Sequence, residues 1–236
     1  MSLQKSFEHL EHSPSKGIYF LQAEGENLEI SSAYFNPKQR LLVAGGNYLL
    51  ATMWDLRQEP STHYGEIQNS LPHVKRHTDT ESLELQADVS SVHWSQDGTR
   101  LVTSSNDMMA RIWRFEEESG QFEIEMVKTF GVMLMISKFN KMNPADQKQA
   151  PQLVATGGHS GVITIWTADA KSASNKDVAK LQHEELDPNL VGLELDWQNS
   201  RTLAVTGHSK NIYLWCVDTP ARPIQVWSGG HTQEIE

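Results

Sequence analysis

SVHWSQDGTRLVTSSNDMMARIW, residues 91–113, reads as three short strands joined by two tight turns. Val92 and Trp94 alternate onto one face of the first strand. Asp97-Gly98 then supplies turn chemistry, because Asp tolerates unusual backbone angles and Gly takes positive φ without a Cβ clash. Leu101–Ser105 runs back, Asn106-Asp107 turns, and Ala110–Trp113 is the third strand. A meander this small cannot bury both of its faces alone. It needs copies of itself.

Three copies follow the same pattern: Leu41–Trp54 (LLVAGGNYLLATMW), Leu153–Trp166 (LVATGGHSGVITIW) and Leu203–Trp215 (LAVTGHSKNIYLW). A short strand ending in Phe35, Trp94, Phe139 or Trp197 precedes each second strand. The terminal tryptophans Trp54, Trp113, Trp166 and Trp215 lie 59, 53 and 49 residues apart. That exceeds the about 40–45 residues of a WD-type propeller blade, and the surplus falls in loops. The chain is therefore expected to be all-β: a WD40-type β-propeller, incomplete, with four blades plus one extra strand. The inner-strand triplets span 32–54, 91–113, 135–166 and 192–215, within a propeller region of 16–236.

Outside the triplets, residues 1–15 (MSLQKSFEHLEHSPS) read as a flexible lead-in, since Ser13-Pro14-Ser15 breaks any helix. Gly17–Gln22 is a candidate outer strand. Residues 57–72 read as a polar insertion, after which the first blade's outer strand is either His73–His77 or Ser82–Leu85. Phe122–Phe130 (FEIEMVKTF) alternates, which places Phe122, Ile124, Met126, Lys128 and Phe130 on one face. Residues 140–151 form a second insertion, Val178–Gln182 is an outer strand, and Ile224–Trp227 starts a further blade. Both insertions emerge on one side of the meanders. The short second-to-third turns near 45–48, 104–107, 157–160 and 207–210 emerge on the other, which is the better shared binding surface. Tyr48, Met108, His159 and Lys210 sit there as candidate partner-binding residues.

Bulk properties narrow the function. The 236 residues are 38% hydrophobic, carry a formal charge of −10, and hold a single cysteine, Cys216. One cysteine excludes an internal disulfide framework and fits a reducing compartment. The acidic balance argues against direct binding to nucleic acid, which needs Lys and Arg on phosphates. The longest apolar run, Phe130–Ile136, is far too short to span a membrane. No N-terminal stretch joins a basic start to an apolar core, so no signal peptide is expected.

No catalytic, cofactor-binding or metal-ligating set emerges. His73/His77 and His9/His12 have ligand-like spacing without supporting Cys or carboxylates, and read as surface histidines. Gly45-Gly46 and Gly157-Gly158 lie in blade turns and lack the Lys and helix of a phosphate-binding loop. His93, on an innermost strand, reads as a hydrogen-bonded structural histidine. The polar residues that stand out belong to a blade-knitting network in which a His, a Ser/Thr, an Asp and the terminal Trp share protons. Thr103, Asp107 and Trp113 match it in the second blade, and Thr156 and Trp166 in the third. The His position, nine residues before the first-strand aromatic, holds Glu26, Leu85, Phe130 and Pro188, so no blade has the full set.

The runs Ala87–Trp94 (ADVSSVHW), Ala110–Trp113 (ARIW) and Leu195–Ser200 (LDWQNS), followed by Arg222-Pro223-Ile224 and Gly230-His231-Thr232, resemble the WD-repeat region of the transducin-β-like corepressor family. The resemblance covers roughly residues 17–236. It favours His73–His77 as the first outer strand. It implies a non-enzymatic protein-interaction scaffold in a histone deacetylase corepressor complex, nuclear, with protein partners such as corepressor or deacetylase subunits or histone tails. No cofactor, small molecule or membrane enters that expectation. A cytosolic WD-repeat adaptor, such as a ubiquitin-ligase substrate receptor, is the alternative. The family's propeller has seven or eight blades and an N-terminal dimerisation segment, so these residues are expected to be part of a larger protein or half of an intermolecular ring.

Overall fold

In a computed structural model, the described residues are 29–46, 48–55, 67–72, 88–143, 151–169, 175–186, 193–207 and 209–230. Among them lie sixteen strands in four antiparallel sheets, each with its strands in sequence order. Blade 1 is β1 (Ile30–Phe35), β2 (Leu41–Gly46), β3 (Tyr48–Asp55) and β4 (Ile67–Pro72). Blade 2 is β5 (Val89–Trp94), β6 (Arg100–Ser105), β7 (Met109–Glu116) and β8 (Gln121–Thr129). Blade 3 is β9 (Leu134–Phe139), β10 (Leu153–Gly158), β11 (Ile163–Thr167) and β12 (Asp177–Leu181). Blade 4 is β13 (Glu194–Trp197), β14 (Thr202–Thr206), β15 (Ile212–Cys216) and β16 (Gln225–Trp227).

Short polar side chains shape the first hairpin of three blades. Asn36 Oδ1 accepts from Lys38 N and Gln39 N at 2.8 and 3.1 Å. Asn199 Oδ1 does the same for Arg201 N and Thr202 N, both at 2.8 Å. Asp97 Oδ1 takes Thr99 N at 3.0 Å and the Ser95 hydroxyl at 2.6 Å, with Gly98 at φ 74°. Each side chain mimics a backbone turn and so fixes where the second strand begins.

Three apolar clusters fill the seams between neighbouring blades. Leu41, Val43, Ala51 and Met53 of blade 1 pack on Val89, Val92, Trp94, Leu101 and Trp113 of blade 2. Val102, Ala110 and Ile112 of blade 2 meet Leu134, Phe139, Val154 and Trp166 of blade 3. The third seam joins Leu153, Ala155, Ile163 and Ile165 to Leu195, Trp197, Leu203 and Trp215. The sheets of blades 2 and 3 thus present apolar residues on both faces of their middle strands, as the repeat required.

Several sequence expectations need correction. The outer strand of blade 1 is β4, inside the stretch read as a polar insertion, and both His73–His77 and Ser82–Leu85 fall outside the described residues. Ile67-Gln68-Asn69-Ser70-Leu71 does alternate, and Pro72 suits an outer strand, where a missing N–H costs no ladder bond. Ile224–Trp227 does not open a new blade. Ile224 N donates to Leu214 O at 2.8 Å and Trp227 pairs with Ile212, so β16 is blade 4's own outer strand. The single apolar face of β8 is broken by a bulge: Ile112 opposes Met126, whereas Trp113 opposes Ile124. Phe122 therefore packs into the seam of blades 1 and 2, while Met126 and Phe130 pack into that of blades 2 and 3. Gly17–Gln22 lies outside the described residues.

Candidate protein-interaction face

The innermost strands carry a second set of bulges, and these position polar side chains between blades. The pairing of β1, β5 and β9 skips Ser31, Ser90 and Met135, each four residues before the strand's aromatic end. A bulge re-aims its side chain. Ser31 Oγ reaches Val89 O at 3.3 Å and Ser90 Oγ reaches Leu134 O at 2.8 Å, each a carbonyl of the next blade. One residue on, Ser32 Oγ accepts from Val92 N (3.2 Å) and Ser91 Oγ from Ser137 N (3.3 Å). Ile136 holds that position in blade 3, and there the next seam changes chemistry. Lys138 pairs with Glu194 at 3.1 Å and Lys141 with Asp196 at 2.7 Å. The four inner strands together wall a groove of about 280 Å³.

His93 closes the middle of this wall. Its Nδ1 accepts from Phe139 N at 3.3 Å, and its ring lies 4.3 Å from that of Tyr34. Burial, and then the nearby Lys138 ammonium, pull its pKa down to about 3, so the ring is neutral. This is a structural histidine joining three blades.

The knitting residues are placed as follows. Trp113 Nε1 donates to Thr103 Oγ1 and Trp166 Nε1 to Thr156 Oγ1, both at 2.9 Å. Ser137 Oγ extends the second of these, 2.9 Å from Thr156 Oγ1. Asp107 uses Oδ1 to accept from Met109 N at 3.0 Å, and its Oδ2 lies 2.7 Å from Arg111 Nη1 in a buried ion pair. Sequence counting passed over Arg111, whose only signal is a cation four residues after the turn Asp.

Blade 4 builds its own substitute. Tyr213 is fully buried, and its hydroxyl meets Ser209 Oγ at 2.9 Å and the Glu185 carboxylate. Asn211 Nδ2 donates to the same carboxylate at 2.9 Å, and the His183 ring packs 4.5 Å from the Tyr213 ring. The Tyr213 hydroxyl first, and then Asn211, hold the Glu185 carboxyl below its ordinary range. Burial and the Glu185 carboxylate push the Tyr213 hydroxyl up. His183 stands fourteen residues before Trp197, so a count of nine landed on Pro188 instead.

The second-to-third turns share one side of the sheets with the linkers that enter each blade. Asn106 N donates to Asp88 O at 3.0 Å, Phe130 N to Met108 O at 2.8 Å, and His159 N to Met133 O at 3.1 Å. Met108 and His159 are half-buried there and Lys210 is exposed. Tyr48 opens β3 opposite Gly46, and its side chain is outside the described residues. The four sit one per blade along a common face rather than in one cluster. Among the described residues no group of three His, Cys, Asp or Glu is placed to hold a metal ion.

Residues 78–114 match the family described as WD domain, G-beta repeat. The solved chains "Structure of U3-55K" and "Crystal structure of RRP9 WD40 repeats" superpose with TM-scores of 0.63 and 0.62. Both are 15% identical, and the match takes in 90% and 87% of this chain and 55% and 53% of theirs. This is a WD-repeat propeller fold. Over 226 residues the chain is 27% identical to the mouse F-box-like/WD repeat-containing protein TBL1X, covering 96% of this chain and 38% of that protein. Human F-box-like/WD repeat-containing protein TBL1Y is 28% identical over 214 residues, 89% of this chain and 36% of that one. The WD40 repeat-containing protein HOS15 of Arabidopsis thaliana is 30% identical over 109 residues, 45% of this chain and 17% of that protein. The resemblance to the WD-repeat region of transducin-β-like proteins thus extends over most of the chain, which spans under two fifths of the TBL1 relatives' length.

Proposed function

We propose that these WD repeats are a non-enzymatic interaction scaffold in a nuclear corepressor complex of the histone deacetylase type. Similarity to TBL1 proteins over nearly the whole chain supports this reading. The site chemistry is in keeping with it: polar side chains of the inner strands join blades to one another. The partners are protein subunits or basic histone tails, in keeping with the charge of −10. The test is capture of purified corepressor and deacetylase subunits. Alanine at Tyr48, Met108, His159 and Lys210 should weaken capture, and Gln147→Ala with Lys148→Ala should not. The reverse order would place binding on the insertion side.

A second reading draws on the relatives' names, which join an F-box-like element to WD repeats. In a longer protein of that layout the propeller would present substrates to a ubiquitin ligase. Co-purification with cullin-ligase adaptor subunits, and not with deacetylase subunits, would decide for it.

A further inference from the structure

We propose that the two open ends of the four-blade arc are the matched halves of one seam, and that a second copy of this chain closes them. Blade 4 of each copy packs on blade 1 of the other, giving a two-fold ring of four plus four blades. The pairing draws on the fold alone and stands apart from any corepressor partner.

The three seams inside the chain define what such a face receives. At each, a cross-strand pair on the second and third strands of one blade shares a cluster with a pair on the first and second strands of the next. Val43 and Met53 pack with Trp94 and Leu101. Val102 and Ile112 pack with Phe139 and Val154. Ala155 and Ile165 pack with Trp197 and Leu203. Each of these residues is at most 1% exposed.

The repeat leaves one pair of each kind over. Ala204 and Leu214 of blade 4 oppose each other at the register of Ala155 and Ile165, yet both are half-buried and outside all three clusters. Both middle strands of blade 4 alternate buried and half-buried residues, so only the face turned to blade 3 is covered. Ile212 lies on the open face, and Trp227, its partner on β16, is 48% exposed. At the other end, Phe35 and Leu42 of blade 1 oppose each other at the register of Trp94 and Leu101. Phe35 is 61% exposed where its counterparts Trp94, Phe139 and Trp197 are buried, and Leu42 is half-buried. Contiguous apolar side chains left open in this way mark an interface.

Continuity with the internal seams says what covers them. An aromatic residue and its aliphatic partner are what a face like that of Ala204 and Leu214 receives at every other seam, and Phe35 with Leu42 is the unused set. Small Ala204 opposite Phe35 repeats Ala155 with Trp197. The two faces lie at opposite ends of the arc, so the contact forms between copies. A head-to-tail contact closes into a ring when its rotations complete a turn, and otherwise runs on as a filament. Propellers reach about eight blades, and in a ring of that size four blades span half a turn. Two copies then close with identical seams, and every sheet face is covered.

Size-exclusion chromatography with light scattering on the 236-residue chain should give a particle of twice the chain mass, with a thermal midpoint that rises with protein concentration. Phe35→Glu and Leu214→Glu should each loosen the pair by about thirtyfold or more, the loss of a central apolar anchor. Val178→Glu, which sets the same charge at an exposed apolar position of β12, should leave it intact. Mixing the Phe35→Glu and Leu214→Glu chains leaves one seam with two unaltered faces, so the mixture should form a dimer at concentrations where neither variant does. A dimer that survives either substitution uses another surface and overturns the proposal, as does a mixture that fails to associate. A filament overturns it too. A monomer at every concentration does the same and leaves both faces to blades of a longer chain.

Discussion

Thr156 Oγ1 accepts from Trp166 Nε1 and shares a second hydrogen bond with the Ser137 hydroxyl, and all three residues are buried. Blades 1 and 4 have Ala44 and Val205 at the same register, and there Trp54 Nε1 and Trp215 Nε1 are buried without partners. Thr156→Val should therefore cost about 1–3 kcal/mol in chemical denaturation, the penalty of an orphaned buried donor. Val205→Thr, nearly isosteric, places a hydroxyl beside an indole that lacks one and should range from neutral to about 1 kcal/mol stabilising. Equal losses for the two would dissociate the hydroxyl from the indole. His93 sets a pH dependence. The folded ring titrates at about 3 and the free imidazole near 6.5, so between those values the unfolded chain binds more protons. Stability is full above 6.5 and falls as pH drops, by about 2 kcal/mol between pH 7 and pH 5. His93→Gln should flatten that acid limb in denaturation curves recorded across the range.

At the scale of elements, much was legible. Tryptophan spacing and turn chemistry located the three inner strands of every blade, because those signals are local. The bulges were not legible, since a skipped residue depends on what opposes it across the sheet. Ser31 and Ser90 look like ordinary strand serines until the register places them between blades. β4 was hidden because Gln68, Asn69 and Ser70 gave Ile67–Pro72 the composition of a loop. The turn position of Met108 could be read from sequence, but its left-handed backbone, at φ 68°, could not. The register also sorts glycines. A Cβ on Gly158 would lie 2.2 Å from the Met133 carbonyl oxygen, whereas one on Gly131 would meet nothing within 4 Å. Gly158→Ala should lower stability by about 2 kcal/mol or more, and Gly131→Ala should stay within about 0.5 kcal/mol of the parent. Matched thermal melts of the two variants decide it.

Across the molecule, the seams combine apolar clusters with different polar joints. Hydroxyls and an imidazole join the channel ends of blades 1 to 3, and ion pairs join blade 3 to blade 4. The ion pairs are not what ranks this seam, because both acidic partners and Lys141 are exposed and Lys138 only half-buried, and such pairs contribute under about 1 kcal/mol each. Leu195 is buried in the apolar cluster shared by blades 3 and 4. Leu195→Ala should cost about 2–5 kcal/mol, whereas Lys138→Ala should cost less than about 1 kcal/mol and lose even that at high salt. A large, salt-sensitive loss in Lys138→Ala would reverse the ranking.

Asn140 follows β9, and its backbone N–H donates to Leu153 O at 2.9 Å while its Oδ1 accepts from Leu153 N at 3.0 Å. Its Nδ2 reaches Ser200 O of blade 4 at 3.1 Å. One side chain thus clamps the base of the 140–151 insertion and anchors it to the neighbouring blade, so the hairpin does not depend on the loop's length. Loop closure costs only about 0.6 kcal/mol for each doubling of length. The insertion is accordingly a splice point: a fluorescent domain or affinity tag set between Ala145 and Asp146 would report on the propeller from the side opposite the turn face, leaving that face open for its partners.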